Sequence, residues 1–271
     1  MCYNQSMCIF LFFILGLAVG SFLNVLVYRL KDGETLLGRS YCRHCKHLIR
    51  WYDNVPLLSF LVLGGKCRDC KERLSWQYPL LEAATGVGFV LVGRFFFVLE
   101  DQSTWIETGW LLGIVSLFLA IAAYDLINME IPLSLLVASA LWTGTFLLLT
   151  SYMEPLPKEL WWESRLAQGV LGGGVIALFF FALVYASKET WMGWGDVWLG
   201  GVAGMIVGLP AALLMLTLSF GFGALFGLGM IAFHKKGMKS QIPFAPYLVL
   251  GTLLTLFLPN VLPDFMVQIL L

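Results

Sequence analysis

The feature that most constrains this chain is a series of apolar runs long enough to cross a lipid bilayer. Hydrophobic residues make up 59% of its 271 positions and charged residues only 13%, which lies outside the range of soluble domains. A helix needs about 20 mostly apolar residues to span a bilayer. The candidate runs are residues 6–28, 78–99, 108–127, 132–151, 166–187, 196–208, 210–233 and 247–270. The sequence therefore predicts an all-α polytopic membrane protein with about eight transmembrane helices.

Two of these runs form one stretch, 196–233, that is too long for a single span, and Gly208-Leu209-Pro210 divides it. Glycines in 169–174 and 200–208 indicate close helix packing. No secretory cleavage pattern precedes the first run, so we expect it to remain as a helix. We expect three parts: a first transmembrane helix at 1–28, a cytosolic segment at 29–77 and a seven-helix membrane core at 78–271.

Basic residues predict the orientation of the spans. Ten of the seventeen lysines and arginines lie between residues 29 and 77, and the loops after the fifth and seventh spans add Lys188, Lys235, Lys236 and Lys239. With eight spans and an external N-terminus, all of these fall on one side, which the positive-inside rule makes cytosolic. We therefore expect a multi-pass protein of the cytoplasmic membrane whose partners include the bilayer but no nucleic acid.

Two carboxylates arrive at the same cytosolic depth in this topology. Asp125 ends the third span and Asp196 opens the sixth, 71 positions later. They could be unrelated residues at helix ends, Asp196 serving as a cap. Alternatively they form a facing pair that shares one proton, so that one activates a water and the other acts as an acid. Gly195, which has no side chain, would let a substrate backbone approach Asp196 closely.

Four cysteines stand out in the segment 29–77. They form two C-x2-C pairs, Cys42 with Cys45 and Cys67 with Cys70, separated by 21 residues. Four thiolates in this spacing are typical of a closed, structural zinc site, although disulfides or redox motifs are alternatives. A reducing cytosol disfavours stable disulfides, so zinc is the favoured interpretation. No role is assigned to Cys2 or Cys8.

The motifs resemble, in their order, those of the bacterial type IV prepilin peptidases, a family of GxGD-type membrane aspartic proteases. The match covers nearly the whole chain. It rests on GSFLNVLVYR (20–29), the double CxxC, DNVPLLSF (53–60), YPLLE (78–82), Asp-x5-Ile-Pro (125–132), GxGD (193–196) and IPFAPYLVLG (242–251). The resemblance implies that Asp125 and Asp196 are the catalytic pair.

The resemblance also implies an activity. Family members cleave the short basic leader from type IV prepilins and pseudopilins, such as those of type II secretion, on the cytosolic side. Many then methylate the new N-terminal amine with S-adenosylmethionine. The chain departs from the family pattern at Leu133, Trp198 and Ala245, none of which is expected to touch the aspartates. The second activity is therefore expected by analogy alone.

Further residues are candidates with two interpretations each. Glu82 could line the active site or bind the methyl donor, or it could pair with a cytosolic cation. The pair Pro243 and Pro246, which flanks Phe244, could simply end a loop. It could also leave unpaired backbone groups beside the aspartates for an extended substrate. Together with Gly193 and Gly195, this stretch is predicted to lie near the substrate.

Two other functions are compatible with parts of the sequence. A proton-coupled transporter would use Asp125 and Asp196 as relay groups and the zinc segment as a sensor. Such a protein would place its aspartates at the bilayer midplane on broken helices in repeated halves, and no repeat is found. A zinc-scaffolded assembly protein without catalysis would not need the GxGD and Ile-Pro motifs.

Overall fold

The structure is a computed structural model that describes residues 5–101, 103–153, 158–232 and 242–260. Eight α-helices occur in this part of the chain, together with short 3-10 turns. They are α1 Gln5–Asp32, α2 Leu58–Val62, α3 Gln77–Phe95, α4 Ser103–Asn128, α5 Leu133–Met153, α6 Arg165–Ser187, α7 Trp194–Ala232 and α8 Ala245–Phe257. Among the described residues the only β pairing consists of isolated bridges, so the predicted all-α class is confirmed.

Five of the helices, α1, α4, α5, α6 and α7, are long and apolar enough to cross a membrane. They support the predicted polytopic membrane protein. Helix α3 is not among them, because it begins with polar residues and carries Glu82 and Arg94. Helix α8 has 13 residues, and the remainder of the predicted eighth span, from residue 261, lies outside the described residues. The number of eight spans therefore stays a prediction.

The predicted sixth and seventh spans form one kinked helix, α7. Gly208 interrupts it with φ 75° and ψ 171°, a conformation that glycine adopts far more readily than other residues. Pro210 follows and has no backbone N–H to continue the hydrogen-bond ladder. The break therefore lies where the sequence predicted it, and it separates two helical segments, 194–207 and 209–232, that α7 names together.

The chain up to Ala123 forms one compact unit, and the chain from Tyr124 onward forms a second. The boundary lies within α4, so the last turn of that helix belongs to the second unit. This division does not test the domain boundaries expected at residues 28 and 77, which stay a prediction.

In the first unit, α1 and α3 are in backbone contact. A Cβ at Gly16 would lie 2.7 Å from the carbonyl oxygen of Thr85, and one at Gly20 would lie 2.7 Å from Cα of Glu82. Such distances are too short for any side chain. The glycines of α1 therefore set how closely the helix that carries Glu82 can approach.

In the second unit, α6 and α7 are packed in the same way. A Cβ at Gly204 would lie 2.5 Å from the carbonyl oxygen of Gly172, and one at Gly172 would lie 2.6 Å from that of Gly204. Helix α8 approaches the second half of α7 at Gly251, where a Cβ would lie 2.9 Å from the carbonyl oxygen of Met215. Small residues that allow backbones to touch are typical of helix packing in membranes.

Large apolar side chains remain exposed on the long helices. Phe10 on α1, Leu178 on α6 and Leu213 on α7 are each more than 60% exposed. In water such surfaces would be unfavourable, whereas in a bilayer they contact acyl chains. The outer surfaces of these helices are therefore suited to lipid.

Candidate active site and metal centre

Asp125 lies in the last turn of α4 and is only 5% exposed. The helix ends three residues later, and the N–H of Met129 donates to the carbonyl of Asp125 at 2.9 Å. Met129 has φ 56°, the left-handed conformation in which helices commonly end. The turn that follows leads through Glu130 and Ile131 to Pro132, just before α5. Asp125 is therefore a buried carboxylate at a helix end.

The backbone of α8 holds Asp125 in place. The N–H of Ala245, the first residue of α8, donates to Oδ2 of Asp125 at 3.2 Å. Ala245 is fully buried. The expectation that this departure from the family pattern does not touch the aspartates is wrong. The contact is made by the backbone, however, so an alanine and a glycine provide the same hydrogen bond.

Asp196 lies in the first turn of α7 and is half-buried. Its Oδ2 accepts the N–H of Gly193 at 3.2 Å, and its own N–H donates to the carbonyl of Gly193 at 3.1 Å. A carboxylate that accepts the N–H of the residue before a helix is a common N-terminal cap. The capping interpretation of Asp196 is therefore correct as geometry, and it fixes the carboxylate in one orientation.

Both carboxylates belong to the second unit and lie close enough for the charge of Asp196 to act on Asp125. Each has one oxygen fixed by a backbone N–H and a second oxygen with which it can bind water. Both sit at helix ends and neither lies in the middle of a span, which disfavours the proton-relay alternative. The arrangement is suited to acid–base chemistry on a shared water.

The two glycines before Asp196 differ in their surroundings. A Cβ at Gly195 would lie 3.1 Å from Cβ of Ile131, so the missing side chain makes room for that residue. Gly193 is exposed, and the only atom near a Cβ there would be the neighbouring backbone nitrogen of Gly195. Gly195 was expected to let a substrate backbone approach closely, but the open space for such an approach is at Gly193.

The proline pair lies at the start of α8. Pro243 precedes the helix, and Pro246 occupies its first turn, where the missing N–H is tolerated. Between them the ring of Phe244 packs on Phe180 and Phe220, with centroids 5.8 and 5.0 Å away. The backbone N–H of Ala245, which lies between the two prolines, is bonded to Asp125 and is therefore not one of the unpaired groups that the substrate interpretation requires.

The other departures from the family pattern lie on the surface. Leu133 begins α5 and is 70% exposed, and Trp198 in α7 is 64% exposed. Neither side chain is buried against the carboxylates of Asp125 and Asp196.

The four predicted zinc ligands are together in the first unit. The Sγ atoms of Cys42, Cys45, Cys67 and Cys70 all lie within 4.8 Å of one another, and the thiols are free. In a tetrahedral site with zinc–sulfur bonds of about 2.3 Å, sulfur atoms are about 3.8 Å apart. The separation of 3.9 Å between Cys42 and Cys70 matches this value. The residues therefore fit a four-thiolate metal site.

The two cysteine pairs have the same local fold. The N–H of Cys42 donates to the carbonyl of His47, and that of Cys67 donates to the carbonyl of Glu72. The residue after each second cysteine, Lys46 or Lys71, has a positive φ of 57° or 60°. Each pair thus forms a tight turn that points its sulfurs inward. Cys8 is buried in α1, and Cys2 lies outside the described residues.

An ion pair connects the second of these turns to the preceding loop. Arg68 donates from Nε and Nη2 to the carboxylate of Asp53 at 2.6 to 3.0 Å. The Asp53 side chain is 9% exposed, and its hydrogen bonds to Arg68 hold the pKa of this carboxyl below its usual value. This bidentate pair gives the DNVPLLSF motif a structural role.

Glu82 is 7% exposed in α3, and its Oε2 accepts the N–H of Leu57 at 2.8 Å. The alternative that it pairs with a cytosolic cation is not supported, since no lysine or arginine bonds to it among the described residues. It lies in the first unit, whereas Asp125 and Asp196 lie in the second.

Sequence reasoning missed Ala245, Ile131 and Asn24. The first two act through backbone and packing, for which no sequence signal exists in a chain this apolar. Asn24 had a sequence signal. It is a single amide side chain inside the apolar run of α1, where a polar group is unfavourable unless it forms hydrogen bonds or has a function.

Two family models match the chain. The bacterial peptidase A24 N-terminal domain matches residues 14–96, and the type IV leader peptidase family matches residues 112–228. The first match contains the four cysteines and Glu82, and the second contains both aspartates.

Curated relatives match along nearly their whole length. The type 4 prepilin-like proteins leader peptide-processing enzyme of Escherichia coli O78:H11 is 33% identical over 267 residues, covering 90% of this chain and 91% of the relative. The prepilin leader peptidase/N-methyltransferase of Stutzerimonas stutzeri is 31% identical over 264 residues, covering 88% and 86%. That of Pseudomonas aeruginosa is also 31% identical over 264 residues. No solved structure matches the chain.

Proposed function

Because the chain belongs to the type IV prepilin leader peptidase/N-methyltransferase family, we propose that it cleaves the leader from type IV prepilins and pseudopilins at the cytosolic membrane face. The observation that carries the proposal is the pair of interacting carboxylates, each fixed by one backbone N–H. Asp125 is held by Ala245 and Asp196 by Gly193. The extended substrate passes Gly193 and the Pro243–Pro246 turn.

In the proposed reaction the two aspartates share one proton. The ionised carboxylate accepts a proton from a bound water, whose oxygen forms a bond to the carbonyl carbon of the scissile peptide. The protonated carboxyl donates its proton to the carbonyl oxygen. Collapse of the tetrahedral intermediate breaks the C–N bond, and a carboxyl proton passes to the leaving amine. No covalent enzyme intermediate is required.

The same proposal includes methylation of the new N-terminal amine. The methyl donor, S-adenosylmethionine, supplies an electrophilic methyl carbon. The new N-terminal amine would accept this methyl group after losing a proton to water, and Glu82 is the candidate residue of this chain for holding the donor. The four cysteines hold a structural zinc that folds the segment 29–77, because a stretch of this length has little hydrophobic core of its own.

The proposed topology has eight spans, with the N-terminus outside and both the zinc segment and the aspartates facing the cytosol. The eight proposed spans are the five long apolar helices, of which the kinked α7 counts as two spans, together with α3 and residues 247–270. The three expected parts, 1–28, 29–77 and 78–271, follow from this topology. It is supported by the concentration of basic residues in 29–77.

The proposal is tested by incubating the purified protein with a prepilin in detergent, with and without S-adenosylmethionine. Mass spectrometry of the product N-terminus reads both activities. We expect leader loss in both reactions and one added methyl group only with the donor. An intact prepilin under conditions where the enzyme is folded would refute the proposed peptidase.

A further inference from the structure

A cavity lies in the first unit between the cysteine-containing segment and the ends of α1 and α3. Its volume is about 500 Å³, within the range of roughly 300–1,000 Å³ typical of small-molecule sites. Its lining includes Ser21, Asn24 and Tyr28 from α1, and Tyr78 and Glu82 from α3. The catalytic aspartates are not part of it. The cavity therefore has no role in the peptidase chemistry described above.

Three of the six acidic residues that line this cavity, Asp32, Asp53 and Asp69, form an ion pair with an arginine. Asp32 pairs with Arg43 at 2.9 Å, and Asp53 pairs with Arg68 through two nitrogens. The carboxylate of Glu82 differs from these. It is 7% exposed and accepts the backbone N–H of Leu57, an uncharged donor.

A buried carboxyl group without a cationic partner is unfavourable as an ion, and it is stabilised either by taking up a proton or by a positive group that reaches it. Within the described part of the chain no lysine or arginine does so. A cationic ligand can reach Glu82 through the cavity beside it.

Asn24 provides a second incomplete group on the same wall. It is 1% exposed, and its Nδ2 donates to the carbonyls of Gly20 and Tyr78 at 3.3 and 3.1 Å. Its Oδ1 has no hydrogen-bond partner among the described residues. A buried acceptor left unpaired costs about 1–3 kcal/mol, so this oxygen is suited to an N–H donor from a ligand.

We infer that this cavity binds the methyl donor, S-adenosylmethionine, with Glu82 meeting its positive charge and Asn24 Oδ1 accepting one of its N–H groups. The inference rests on the methyltransferase part of the proposed function. The donor has a sulfonium and an ammonium group, either of which can pair with the carboxylate of Glu82. It also has amino N–H groups that can donate to Oδ1 of Asn24. The stacked rings of Tyr28 and Tyr78, with centroids 5.4 Å apart, give the site an aromatic wall for its nucleoside.

Binding of S-adenosylmethionine, measured by equilibrium dialysis with radiolabelled donor in detergent, tests the site without relying on turnover. Glu82→Gln removes the charge but keeps an oxygen that can accept the N–H of Leu57. We expect its dissociation constant to rise about 10- to 100-fold, the range expected for losing a bond to a charged group. The matched control is Glu100→Gln, which removes the same charge from an exposed position of the first unit that does not line the cavity. Its dissociation constant should change by less than about twofold.

Photoaffinity labelling of the unmodified protein with 8-azido-S-adenosylmethionine keeps the test valid if Glu82→Gln does not fold. We expect labelled peptides from residues 20–82. Labels confined to residues 112–258, or equal loss of binding in both variants, would overturn the inference.

A basic prepilin leader is the other cation that could reach Glu82. In that case Glu82→Gln would raise KM for prepilin and leave donor binding unchanged, and the inference would be wrong. Leader cleavage by the unmodified protein is measured separately. A protein that cleaves prepilin but binds no donor contradicts the proposed methylation and this inference with it. A protein that binds the donor but is labelled only outside residues 20–82 contradicts this inference alone, and one that binds the donor but does not cleave contradicts only the proposed peptidase.

Discussion

Oδ2 of Asp125 accepts a hydrogen bond of 3.2 Å from the backbone N–H of Ala245, 120 positions further along the chain. The bond joins the end of α4 to the start of α8. Because the donor is the first N–H of a helix, it also lies at the positive end of the helix dipole, which favours a carboxylate. The position of the carboxylate therefore depends on how α8 is packed.

Replacing either aspartate by asparagine should stop leader cleavage. Asparagine is nearly the same size and its oxygen can still accept the N–H of Ala245 or Gly193, but it cannot ionise or transfer a proton. We expect Asp125→Asn and Asp196→Asn each to lower the cleavage rate by about 10²- to 10⁴-fold or more, with normal expression. The rate is measured on prepilin in detergent by gel shift of the mature product.

The double variant should be no slower than either single one, because groups that act as a unit are not additive. Glu130→Gln, an exposed carboxylate on the same turn, serves as the control and should cleave almost normally. Robust cleavage by either asparagine variant would return Asp196 to the role of a helix cap.

Removing one sulfur should release the metal. Purified protein should contain close to one zinc per chain, and Cys67→Ser should lose it, because three thiolates bind zinc far less tightly than four. Metal content is measured by mass spectrometry, and loosening of residues 29–77 by limited proteolysis. His44→Gln is the matched control: histidine is a common zinc ligand, but His44 is exposed and lies outside the four-sulfur cluster. Zinc loss in the control alone would contradict the assigned ligands.

The ion pair of Asp53 and Arg68 should stabilise the cysteine segment at neutral pH. The pKa of Asp53 is lowered in the folded protein, so its contribution is complete above the ordinary carboxyl pKa and is lost as the pH falls through the lowered value. Asp53→Asn should therefore unfold at a lower temperature than the unmodified protein at pH 7, and the difference should vanish in acid. Acid also releases zinc, but it does so from both proteins, so zinc loss does not contribute to the difference between their unfolding temperatures. A difference independent of pH would assign the effect to packing.

Labelling of introduced cysteines should place the two ends of α6 on opposite sides of the membrane. A cysteine at Thr190, next to Lys188, should react with an impermeant maleimide only in inverted vesicles, and one at Trp161 only in intact cells. Mass gain is scored against the unmodified protein, whose own thiols set the background. Reaction of both sites from the same side would refute the eight-span topology.

Contact between α6 and α7 should tolerate no added methyl group at Gly204. An alanine there would bring its Cβ 2.5 Å from the carbonyl oxygen of Gly172, so the helices must separate. We expect Gly204→Ala to lower the free energy of unfolding by about 1–3 kcal/mol. Gly221→Ala, in the second half of the same helix, has nothing within 4 Å of the new Cβ and should be neutral or stabilising. Thermal unfolding in detergent compares the two.

Much of this architecture could be predicted because its signals are local. Apolar runs predicted α1, α4, α5, α6 and α7, and the spacing of Cys42, Cys45, Cys67 and Cys70 predicted their cluster. Charge asymmetry predicted that Asp125 and Asp196 lie at one depth, and in the structure the charge of Asp196 is close enough to act on Asp125.

What the sequence could not predict depends on contacts between distant segments. The Ala245 bond to Asp125 involves a backbone group that every residue except proline possesses. The packing of Ile131 against Gly195 depends on how the end of α4 and the start of α7 meet.

The kink at Gly208 separates the part of α7 that carries Asp196 from the part that packs on α8. Bilayers differ in thickness, and a helix whose apolar length does not match the lipid adjusts chiefly by tilting. In a straight helix of 39 residues such a tilt would move the first turn, and with it the carboxylate. Because α7 bends at Gly208, residues 209–232 can follow the lipid while Asp196 keeps its orientation, so the geometry of the site is insulated from membrane composition.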